Sequence, residues 1–168
     1  MNNTLAKTTK AQFELQTRLF LMITDAISDS EANQHTITTI KSFKWIAGHI
    51  VNSRMTLLQI LTGKTQNEEF ATKFGKGTSA NTNVNYPSMS KILKKWELVS
   101  NELLTAIEKT TDESLLSKPP FQTSIPDTTL SGLVAFFALH EGQHMGQLSL
   151  IRKLGGVETN AYDAVICV

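Results

Sequence analysis

The chain has 168 residues, 40% hydrophobic and 18% charged, and its 16 basic and 15 acidic side chains leave a formal net charge of +1. A near-neutral chain with no basic stripe argues against a nucleic-acid binder held by phosphate contacts. The composition is that of a globular protein rather than a disordered or membrane-embedded one, and the length predicts one domain spanning 1–168.

Four stretches repeat apolar residues at three- and four-residue spacing, the helical period. The first runs from about Thr9 to Ser28, with Phe13, Gln16, Phe20, Ile23 and Ile27 on its stripe. Residues 29–40 form a linker, and His35 within it reads as a surface histidine. The second stretch runs from about Lys41 to Thr62 with Phe43, Ile46, Ile50, Leu57 and Leu61 in phase, and Gly63 is a natural stop. Residues 63–87, rich in Gly, Thr and Asn, are long for a bundle connection and predict a loop able to cover a substrate.

The third stretch starts after Pro87 with Ser88 as N-cap, and carries Met89, Ile92, Trp96, Val99, Leu103 and Ala106. Lys91, Lys94 and Lys95 lie along it as a solvated face. Residues 111–126 hold a short helical turn at DESLL and then Pro119, Pro120 and Pro126. The fourth stretch follows Asp127, places Leu130, Leu133, Phe137, His140, His144, Leu148 and Ile151 on one stripe, and closes at Gly155 and Gly156. No segment alternates with period two. The prediction is an all-α four-helix bundle with one or two long crossovers.

No apolar run approaches the ~20 residues that span a bilayer, and the N-terminus has no secretory h-region. Cys167 is the only cysteine, read as an incidental thiol beside the chain end. A lone thiol fits a reducing compartment, so a cytoplasmic protein is expected.

The chemistry concentrates in the fourth stretch. His140 and His144 are four residues apart, so their rings project from one helical face a turn apart. Two imidazoles on an apolar stripe each need a partner, and one metal ion satisfies both. The string His140-Glu141-Gly142-Gln143-His144 also matches the zincin pattern H-E-x-x-H. Its context does not. Gln147 and Leu150 stand where the extended metzincin motif needs Gly and His. A downstream acidic ligand could come only from Glu158 or Asp163, beyond the double glycine, and the strands of such proteases are missing. The better third ligand is His49, midway along the second stretch, beside Trp45 and preceded by the small Gly48.

Trp45…His49, then His140-x-x-x-His144-x-Gly146-Gln147, then Leu154-Gly155-Gly156, together resemble the DinB-like superfamily, over nearly the whole chain. The resemblance implies an up-down-down-up four-helix bundle that binds a divalent metal through three histidines, here His49, His140 and His144. It also implies a small-molecule substrate: the family includes bacillithiol- and mycothiol-dependent thiol S-transferases and a mycothiol-dependent isomerase.

Three neutral ligands leave the metal its full charge and at least one open position. Zinc or nickel is expected first, and iron also suits imidazole. Glu141 is the candidate acid or base, and Gln147 is a candidate to orient an imidazole or a bound water. The expected activity is thiol S-transfer or hydrolysis on a small molecule, with a low-molecular-weight thiol as a candidate partner. The competing expectation is a stress-response module that binds a metal or small molecule without turnover. The sequence leaves the oligomeric state open, a homodimer included.

Overall fold

A computed structural model describes residues 4–34, 41–65, 68–75, 77–78 and 84–156. His35, Glu158, Asp163, Cys167 and the tail after Gly156 lie outside the described residues. Among the described residues there are helices and no strands: α1 (Thr4–Thr24), α2 (Asp29–Asn33), α3 (Phe43–Thr62), α4 (Glu68–Phe74), α5 (Met89–Lys109), α6 (Asp112–Leu115) and α7 (Leu130–Leu154). None of them is long and apolar enough to cross a membrane.

Local chemistry sets the helix ends. The side chains of Ser42, Ser88 and Thr129 each accept the backbone N–H three residues on, capping α3, α5 and α7. Gly63 ends α3 in the left-handed conformation, φ +70°, where a Cβ would be strained. The first helix starts and stops earlier than its apolar spacing suggests. Ala26 adopts φ +56°, and Ser28 instead opens α2 through a reciprocal capping box with Glu31. The expected 63–87 loop also contains a helix, α4, because Phe70 and Phe74 bury their rings against the bundle.

The four long helices form a ring in which α1 packs on α5 and α7, and α3 packs on the same two. Side-chain pairs fix the directions. Gln16 meets Ala138 and Arg152 meets Ile23, so α1 and α7 run parallel. Lys10 meets Glu108 and Trp96 meets Thr17, so α5 runs against α1. His49 lies by His144 and Ser53 by His140, so α3 runs against α7. The bundle is therefore up-down-down-up. This order forces a long crossover between α3 and α5, which run parallel and cannot be joined by a tight turn.

At the centre of the bundle the core is charged. Arg54 on α3 is completely buried, under the faces of Trp96 and Phe13. Its five N–H groups all have acceptors: Nε and Nη2 grip the two carboxylate oxygens of Glu141 at 2.8 and 3.0 Å. Nη1 donates to Thr17 Oγ1 and Ser100 Oγ at 2.7 and 2.6 Å, and Nη2 also reaches the Phe13 carbonyl at 3.2 Å. Burial pushes the Glu141 carboxyl up, and the guanidinium opposes that shift. Two donors from one guanidinium match an ionised carboxylate, which we take as the resident form.

A buried charge stripped of its partner is strongly destabilising, by roughly 3–5 kcal/mol. Glu141→Ala should lower the unfolding free energy in urea by about that amount. A loss below about 1 kcal/mol, the scale of an exposed pair, would contradict this description of the core.

Candidate metal centre

Helical phase carries the buried pair to the histidines. Successive residues turn by about 100°, so while Glu141 faces the core, its neighbour His140 faces the α3–α7 seam, and His144 follows one turn on. The inward stripe of α7 is Leu133, Val134, Phe137, Glu141, Met145 and Leu148. His140 and His144 are half-buried at its edge. This corrects the sequence expectation that put both histidines on the inward stripe. The buried polar residue there is Glu141, already held by Arg54. On α3, His49 is also half-buried, its ring stacked on Trp45 with centroids 4.8 Å apart.

The three rings converge. His140 Nε2 lies 3.2 Å from His49 Nε2 and 3.2 Å from His144 Nε2, and the three ligand atoms all fall within 4.8 Å of one another. At the two 3.2 Å separations, nitrogens about 2.0–2.1 Å from a shared zinc ion subtend about 100° at the ion, near tetrahedral, and three such ligands leave a fourth position open.

Behind each ring sits an oxygen. His49 Nδ1 is 2.6 Å from the Phe74 carbonyl, and His144 Nδ1 is 2.7 Å from Gln147 Oε1. Both oxygens only accept, so both Nδ1 atoms carry the proton and both Nε2 lone pairs point inward. His140 Nδ1 meets the Ser53 hydroxyl at 3.2 Å, which accepts equally well. With the proton on Nδ1, His140 Nε2 faces the lone pairs of His49 and His144 at 3.2 Å each, and a cation at the common focus removes that repulsion. The donor set fits a divalent ion.

Electrostatics keep the ligands in their binding form. Burial lowers the pKa of all three, and His140, also facing His144 and His49, is pushed down to about 4. The rings are therefore neutral near pH 7 and compete little for protons against a metal.

The site also depends on α4. A Cβ on Gly48 would lie 2.4 Å from the Phe74 ring, so only glycine lets Phe74 seat where its carbonyl reaches His49. Within the segment expected to cover a substrate, α4 supports His49 through the Phe74 carbonyl. Gln147 stands where an imidazole-orienting residue was sought. Glu141, expected near the site as acid or base, has both carboxylate oxygens committed to Arg54. Ser53 and the Phe74 carbonyl went unanticipated. Ser53 was findable, four residues after His49 on one face; a backbone carbonyl leaves no trace in the sequence.

Beside the histidines lies a cleft of about 560 Å³, within the roughly 300–1,000 Å³ usual for small-molecule sites. His49, Asn52, Ser53 and Thr56 line it from α3, Phe136, Phe137 and His140 from α7, and Phe121, Gln122, Thr123 and Ser124 from the segment before α7.

The family description "DinB superfamily" matches residues 12–148. No curated protein matches the chain. Among solved structures, a conserved protein from Enterococcus faecalis is similar, with a TM-score of 0.73 and 13% identity over 90% of this chain and 97% of its own. That likeness concerns the fold.

The lowered histidine pKa values predict how the metal-free protein responds to acid. A histidine whose folded pKa lies below its unfolded value binds more protons when unfolded. Its stability contribution is complete above pH 6.5 and is lost as pH falls toward about 4. Urea unfolding of metal-free protein should therefore show falling stability across that window, with a shallower slope in His140→Asn. An unchanged slope in the variant would contradict the assigned burial.

Proposed function

This chain belongs to the DinB superfamily, and from that membership and its converging imidazoles we propose that it is a divalent-metal-dependent thiol S-transferase acting on a small molecule. The observation that carries the reading is the trio of Nε2 atoms, each backed by an oxygen at Nδ1, with His49 and His140 lining a cleft. His49, His140 and His144 are the proposed ligands, and zinc is the proposed ion, since neutral imidazole and a tetrahedral gap suit it. The bound ion supplies Lewis acidity, which favours the thiolate over the thiol in its open position.

The chain's own residues do the remaining work. The Phe74 carbonyl and Gln147 fix the tautomers of His49 and His144, and Ser53 helps hold the His140 ring in register. Phe121, Phe136 and Phe137 offer apolar surface beside the reacting pair, and Asn52 and Thr56 offer neutral hydrogen-bonding groups. Among the described residues no carboxylate lines the cleft. A reaction that needs a carboxylate base is therefore less well served than one whose nucleophile is activated at the metal, as a thiol would be.

Zinc-loaded protein mixed with phenylmethanethiol and 1-chloro-2,4-dinitrobenzene should form the thioether faster than the solution reaction. The sulfur–carbon bond forms as carbon–chlorine breaks, chloride leaves and the thiol proton passes to buffer. Chelation should abolish the acceleration and zinc should restore it. Zinc and thiol bound without acceleration would instead indicate a binding module, and absence of zinc binding would end the proposal.

A further inference from the structure

We infer that the cleft selects a ligand with an uncharged, aromatic body and discriminates against one whose body carries carboxylates or phosphates. The inference rests on the thiol-transfer reading for the atom presented to the histidines, and adds the nature of the rest of the molecule.

The cleft's lining carries the argument. Phe136 and Phe137 of α7 and Phe121 supply aromatic surface, Asn52, Ser53 and Thr56 of α3 supply neutral polar groups, and the 122–124 segment after Phe121 adds further uncharged polar side chains. Among the described residues lining the cleft, none bears a formal charge. Phe121 lies in the segment between α6 and α7 and is 45% exposed although it borders a concave site. Covering such exposed apolar surface with an apolar ligand is favourable. Phe136 stacks on His140, centroids 6.0 Å apart and planes at 26°, and meets Phe137 nearly edge-on at 83°. An aromatic ligand entering beside His140 meets ring faces and edges from the same helix.

The α3 face offers neutral groups only. The Thr56 hydroxyl donates to the Asn52 carbonyl at 3.0 Å, which leaves its oxygen as an acceptor, and the Asn52 amide offers both roles. An anionic group on the ligand's body would lose water here without a guanidinium or ammonium to replace it, an uncompensated cost. Negative charge is welcome at one place: the focus of the three imidazoles, where neutral ligands leave an ion's charge undiminished.

The test compares phenylmethanethiol with 4-(sulfanylmethyl)benzoate, the same thiol and ring plus one carboxylate, by calorimetric titration of the zinc-loaded full chain. The neutral thiol should bind at least about tenfold tighter. Thr56→Lys, which adds a cation to the polar α3 face, should shrink that ratio to near unity or invert it. Phe121→Ala, at an exposed position where folding is not at stake, should weaken both thiols alike. Equal affinities in the wild type, an unchanged ratio in Thr56→Lys, or unchanged binding of both thiols in Phe121→Ala would overturn the inference while leaving the zinc site standing. Zinc bound with neither thiol accepted would overturn both this inference and the thiol reading beneath it.

Discussion

A buried guanidinium cannot shed its charge, because arginine stays protonated at any pH the fold survives. Burying Arg54 on α3 therefore obliges the structure to supply a partner for every N–H, and those partners come from the other three long helices: Phe13 and Thr17 on α1, Ser100 on α5, and Glu141 on α7, with the Trp96 ring of α5 against the guanidinium. Oil-like packing tolerates small slips and rotations; a five-donor network does not. The pair fixes the rotation of α3 and α7 about their axes. Because His140 directly precedes Glu141 and His49 lies five residues before Arg54, that rotation is what aims the imidazoles at one another. Stability and site are in this sense one constraint, set at the core and read out at the rim.

The division between core and rim also explains why the site can be both ordered and open. Half-buried histidines lose enough water for their pKa to fall, yet remain beside a cleft that admits a small molecule. Each ring is held from behind by a neighbour that differs in origin: a backbone carbonyl from α4, a hydroxyl from α3 and an amide from α7 itself. The α4 contact is the most delicate, since it relies on Gly48 having no Cβ and on Phe74 packing against Phe70 and Tyr86.

Much of this was legible in the residues. Helical periodicity located the four long helices, Ser88 and Gly63 marked ends that the structure keeps, and the His140/His144 spacing with His49 upstream identified the trio that the fold brings together. What escaped reading has physical causes. Glu141 beside two histidines looks like site chemistry, and only the depth of Arg54, a residue that sequence statistics place on surfaces, reveals it as core. The α4 helix hides in a polar segment because two phenylalanines suffice to dock seven residues. Stripe analysis also could not separate inward from seam-facing positions on α7, where Glu141 and His140 are one residue and about 100° apart.

The account stands or falls on His49, which lies about ninety residues from the other two ligands and joins them only through the packing of α3 on α7. Competitive zinc titration of wild type and His49→Ala, with helicity followed by circular dichroism, tests it most directly. Wild type should bind one ion per chain. Removing even an outer-shell partner commonly costs roughly 10–100-fold in metal affinity, so loss of a proposed ligand should cost more than about 100-fold with helicity unchanged. A His49→Ala protein that holds zinc as tightly as wild type would contradict the three-histidine centre.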